Sequence, residues 1–214
     1  MILGSEYLGM SVRIAMVAVP VAGYFLILGL LNSRRSPQLL TGRLDFSLLM
    51  LALCPGFVLP VLERAGLSPG AAVGVTGALV TVIWLAGPGG VSWVVYNLPP
   101  GQADRVVKSV LAGMGWRSVR TDGGYRVEEP DITIRVSGFR MLHNVSVRLT
   151  GPGASKFARW FGDELARVLA RTDARAHPMG VAMLLVATAM MVAPLALIAR
   201  RAPEFVRLLV DLWQ

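Results

Sequence analysis

A membrane protein with α-helical spans and one small water-facing α+β domain, built strand, helix, antiparallel strands, helix in two layers, is the fold class this sequence predicts. Three observations predict it. Hydrophobic residues make up 54% of the 214-residue chain, above the roughly 45–50% apolar share of soluble domains, and the mean hydropathy is +0.59. The excess is gathered into four continuous runs of near-bilayer length. Between the third and fourth runs the pattern changes, and apolar residues alternate or recur at helical spacing over roughly 80 residues, enough for a small core.

The first run covers residues 14–31. At 1.5 Å per residue it reaches roughly 27 Å, close to the hydrocarbon thickness of a bilayer. A retained anchor is expected rather than a cleaved signal peptide. Glu6 precedes the run, no small-x-small site follows it, and Asn32-Ser33-Arg34-Arg35 reads as a stop at a charged interface. Pro20 is expected to kink the helix or to be accommodated by its neighbours.

The second run, 46–62, lies between Asp45 and Glu63 and contains Pro55, Gly56 and Pro60. A kinked span is expected, with a re-entrant or interfacial segment as the alternative. The third run, 71–86, follows Ser68-Pro69-Gly70, which suits a turn and helix start. Gly70, Gly74 and Gly77 recur at helical spacing, where small residues let helix backbones approach closely in lipid. Packing within the chain is the plain expectation for that face, and homo-oligomer contact the sharper one. The fourth run, 180–198, is followed by Arg200-Arg201. Beyond it, Phe205, Leu208, Leu209, Leu212 and Trp213 describe a short amphipathic helix along the membrane surface or against the spans.

These runs divide the chain into a membrane region (1–90), a water-facing domain (91–173) and a final span with its C-terminal helix (174–214). The glycine-rich stretch 87–90 follows a helix and lacks a Gly-Lys-Ser/Thr ending, so it reads as a hinge and not as a phosphate loop.

Within the domain, 91–98 reads as a strand. Residues 104–114 read as a helix with Val106, Val107, Val110, Leu111 and Met114 on one face. Residues 116–120 and 125–128 form a hairpin about Thr121-Asp122-Gly123-Gly124. Ile132, Ile134 and Val136 alternate with polar residues, as do Val145, Val147 and Leu149. A helix over 155–171 carries Phe157, Trp160, Phe161, Leu165, Val168 and Leu169 as its apolar stripe, and its outer face offers four-residue pairs of Asp163 with Arg159 and Arg167.

The formal charge is +8. In a soluble protein that balance would point first to nucleic acid. Here the positive-inside rule explains it more simply. Arg34, Arg35 and Arg43 place the first loop in the cytoplasm. With four spans the domain is also cytoplasmic, on a bacterial cytoplasmic (inner) membrane. Arg171 and Arg175 agree, whereas Arg200 and Arg201 oppose it. A second run that does not cross would reverse the domain's side.

Chemistry-bearing motifs are sparse. Cys54 is the single cysteine, so no intramolecular disulfide or cysteine metal cluster forms. His143 and His177 stand outside any HExxH, nucleophile-elbow or paired His–carboxylate pattern. Glu128-Glu129-Pro130-Asp131 reads as a solvated loop before it reads as a cation site. The Asn144-Val145-Ser146 sequon falls in an expected strand on the cytoplasmic side. No Asp, Glu, Lys, Arg or His lies within the four runs, which argues against a proton-coupled carrier. No catalytic, cofactor or metal residues are therefore assigned, and the balance leans away from an enzyme.

Arg135 and Arg148 occupy outward strand positions, and Arg126 is placed to join them. This face suits a protein or acidic-lipid contact. It lacks the paired aromatics of a nucleic-acid platform. The expected role is a membrane-anchored interaction or assembly protein whose partners are the bilayer and another protein or copy. A small subunit of a transport complex and a membrane enzyme with an unrecognised site are the alternatives.

Overall fold

The computed structural model describes residues 2–66, 69–86, 91–139, 142–174 and 177–200, together with 203, 206 and 210. The glycine-rich stretch 87–90 and the amphipathic positions Phe205, Leu208, Leu209, Leu212 and Trp213 lie outside the described residues. The chain divides into two compact units, one of residues 1–27, 47–85 and 183–214, the other of residues 28–46 and 86–182.

The first unit is helical. Its helices are α1 (Ile2–Ser33), α2 (Gly42–Arg64), α3 (Pro69–Ala86) and α6 (Pro178–Arg200), some of whose end turns belong to the second unit. Among the described residues three stretches are long and apolar enough to cross a membrane, Arg13–Ser33, Gly42–Val61 and Pro178–Ala196, where the sequence predicts four spans; the third run, 71–86 on α3, is not among them. The helix of α2 continues through Pro55 and Pro60. Leu59 packs with Met16, Val17 and Val58. Large apolar side chains face outward along these helices, and Phe57, Val61, Leu85, Leu185 and Val192 are all more than half exposed.

The second unit is a six-stranded antiparallel sheet with two helices on one face. Its strands are β1 (Gln38–Thr41), β2 (Val91–Tyr96), β3 (Ser118–Thr121), β4 (Gly124–Val127), β5 (Ile132–Phe139) and β6 (Asn144–Thr150), in the spatial order β1-β2-β6-β5-β4-β3. The helices are α4 (Pro100–Gly113) and α5 (Ala154–Ala170). The alternation in β5 and β6 sends Ile132, Ile134, Val145, Val147 and Leu149 inward, where each is 1% exposed or less. α4 buries Val106, Val107, Val110 and Leu111, as its spacing predicts. It starts earlier than its apolar pattern because Pro100 suits the first helical turn. The hairpin turn depends on Gly123, whose φ of 85° favours glycine.

Three further features depart from the sequence expectation. The first loop contributes an edge strand, since β1 pairs along β2 from Gln38↔Tyr96 to Thr41↔Trp93. Leu39, opposite Val95, packs on the core. Second, Trp160 is not part of the buried stripe and is 65% exposed. On a helical wheel it sits about 100° from Phe161, and Phe161, Leu165 and Leu169 take the buried face. Trp160 instead flanks Phe157, with ring centroids 5.8 Å apart. Third, Arg167 pairs with Glu164, where spacing alone favours Asp163.

Candidate functional site

The open face of the sheet carries the outward residues of every strand. Arg135 and Arg148 lie directly opposite each other on β5 and β6, and Ser92 of β2 lies opposite Arg148 on its other side. Both arginines are exposed. A groove of about 670 Å³ runs over this row and is also lined by Ser146, Asp45 and Asp122. Gly42, in the first turn of α2, borders it because a side chain there would overlap the Ser92 hydroxyl.

Arg126 shares the open face but not this groove. Its residue faces Thr133 on β5, and its guanidinium lies 3.5 Å from the Asp131 carboxylate. These two line a second groove, of about 420 Å³, with Val119, Thr121 and Glu128. The structure therefore joins Arg135 with Arg148 and separates Arg126 from them. Sequence reasoning passed over Asp45 and Asp122, which read as a span boundary and a turn residue.

On the helix-covered face, the Tyr125 hydroxyl donates to Asp104, which is also held by Lys108 at 3.3 Å and Arg120 at 3.5 Å. Burial and that bond push the Tyr125 pKa up to about 12. The Tyr125 bond, assisted by the two cations, holds the Asp104 carboxyl below its ordinary range. A tyrosine made less acidic and a carboxylate made more acidic favour a fixed hydrogen bond over proton transfer near neutrality. The pair clamps α4 to β4.

A polar junction ties the end of α1 to the sheet. Asn97, buried and at φ 58°, receives the Asn32 side-chain oxygen on its backbone N–H at 3.2 Å and donates its Nδ2 to the Arg34 carbonyl at 2.7 Å. The backbone N–H groups of Ala174 and His177 donate to the carbonyls of Arg35 and Asn32. The two histidines, remote in sequence, meet here with ring centroids 3.9 Å apart.

Burial, with the charge of His177 second, lowers the His143 pKa. The native state then binds fewer protons there than the unfolded chain. The associated stability is complete above about pH 6.5 and is lost as pH falls from there through the folded value. In detergent, the wild-type melting temperature should therefore be lower at about pH 5.5 than at about pH 7.5. His143 has φ 50°, and asparagine tolerates that backbone. His143→Asn should accordingly reduce the pH difference. Identical pH sensitivity in the two proteins would remove His143 as its source.

Gly70, Gly74 and Gly77 lie on α3 and are exposed. A Cβ built on Gly74 or Gly77 meets no atom within 4 Å among the described residues. Comparison of the chain with protein-family models, curated proteins and solved structures finds no match.

Proposed function

We propose that this chain is a membrane-anchored, non-enzymatic interaction or assembly protein that holds its α+β domain at the cytoplasmic face of a bacterial cytoplasmic membrane. The observation that carries the reading is the pairing of β1 with β2. β1 lies between two helices apolar enough to span, and it belongs to the sheet of the later domain. In this reading β1 and β2, as neighbours in one sheet, lie on one side of the bilayer, so the chain between them leaves that side and returns to it. Crossings by both α2 and α3 satisfy this, and a single crossing does not. At 18 residues, α3 reaches roughly 27 Å, which matches the hydrocarbon thickness in length, and its return crossing is part of the proposal, since α3 is not among the three stretches found long and apolar enough to cross.

The domain-side helix ends then carry Arg34, Arg35, Arg43 and Arg171, which favours the cytoplasm. The outward apolar side chains of the helices suit lipid contact. The sheet is connected to apolar helices after Ser33, at Gly42, before Val91 and at Pro178. Such connections suit a platform that presents its open face to a partner. Copurification from native membranes tests the role. A stable protein partner lost on altering the open face is expected. Isolation alone with a bound metabolite would point to an enzyme, and recovery with transporter subunits to a transport complex.

A further inference from the structure

The groove on the open face has a volume typical of small-molecule sites, which run from roughly 300 to 1,000 Å³. Its row of Ser92, Arg148 and Arg135 is set by strand register. Like charges placed directly opposite each other on neighbouring strands destabilise a sheet. Neither guanidinium has a carboxylate partner among the described residues. A phosphate between them would accept from both planar donor forks and relieve that repulsion.

The groove is nevertheless not simply basic. Asp45 and Asp122 line it as well. Asp45 accepts a hydrogen bond from the Tyr96 hydroxyl, which leaves its second carboxylate oxygen to interact elsewhere, and Asp122 is exposed in the β3–β4 turn. Two guanidiniums and two carboxylates balance in charge. Such a lining selects a ligand carrying one phosphate and one cationic amine over a purely anionic ligand. The first turn of α2 forms part of the same lining, and α2 is long and apolar enough to cross a membrane. A groove beside the first turn of a crossing helix lies at headgroup depth.

We propose that this groove binds the headgroup of an aminophospholipid, with the phosphate on Arg135 and Arg148 and the ammonium toward Asp122, the carboxylate on the Arg135 side of that pair. The proposal rests on the membrane reading given above. It assigns the domain a lipid ligand, which that reading does not.

The test uses the full chain in nanodiscs containing equal amounts of phosphatidylethanolamine, phosphatidylglycerol and phosphatidylcholine. Native mass spectrometry of the released protein reads which lipid remains bound. Phosphatidylethanolamine should be retained over the other two. Arg135→Gln with Arg148→Gln should cut that retention roughly tenfold or more, the scale of one lost charge-assisted hydrogen bond. The same double variant should melt higher than wild type in lipid-free detergent, because a repulsive pair is gone; a lower melt would contradict the unrelieved repulsion on which the site is argued. Asp122→Asn should shift preference toward phosphatidylglycerol, and Arg126→Gln, in the other groove, should change nothing.

Equal retention of the three lipids, or retention unaffected by the double variant, overturns the proposal. So does a preference for phosphatidylglycerol in the wild type. Displacement of the lipid by soluble phosphoethanolamine would assign the groove to a free metabolite and overturn the lipid source. Failure of the membrane reading would look different: the chain would stay soluble without detergent and would not enter nanodiscs.

Discussion

Phe161→Ala should destabilise the sheet unit by about 3–5 kcal/mol, the range for truncating a fully buried phenylalanine. Phe161 is 0% exposed and is the largest fully buried side chain among the described residues. Its ring meets the Trp93 indole of β2 at a centroid separation of 5.3 Å. The next residue, Gly162, lies so close to that indole that an added Cβ would sit 3.2 Å from it. The helix is therefore already at closest approach there, and the cavity left by Phe161 has little means to collapse.

Trp160→Ala provides the contrast. Trp160 is larger and lies one residue away, but it is 65% exposed. Its loss should cost far less, near the ±0.5 kcal/mol or so of ordinary surface changes. Hydrogen exchange of β2 and α5 in the full chain reads both. A costlier Trp160→Ala would mean that α5 presents a different face to the sheet.

The contrast shows what sequence patterning conveys and where it stops. A tryptophan at the flank of an amphipathic stripe counts as apolar whether or not it is covered. Deep positions such as Phe161 and Leu165 and flank positions such as Trp160 are separated only by the angle at which α5 packs. Helices α4 and α5 and strands β5 and β6 were legible because their own periodicity specifies a buried face. β1 was not legible, because Leu39 and Leu40 are too few to show a period. Only their distant partner β2 makes those residues a strand.

The candidate site followed the same division. Alternation alone turned Arg135 and Arg148 outward. Their placement opposite each other depends on the register of β5 against β6, which no local pattern encodes. Asp45 and Asp122 reach the same groove from a helix start and a hairpin turn, and the two histidines meet across 34 positions (177 − 143). These are non-local pairings, visible only once the sheet is assembled.

The most direct test of the account's central claim is the sidedness of three positions. Single cysteines would be placed at Arg35, Gly66 and Pro152 in a Cys54→Ser background. All three positions are exposed. Arg35 lies just before β1, Gly66 just after α2, and Pro152 between β6 and α5. Because β1 and β2 belong to one sheet, Arg35→Cys and Pro152→Cys must share a side. In intact cells a membrane-impermeant maleimide should label Gly66→Cys alone, and the other two should react only after permeabilisation. Labelling of Arg35→Cys and Pro152→Cys from opposite sides would contradict the shared sheet. Labelling of Gly66→Cys from the same side as both would contradict the crossing by α2.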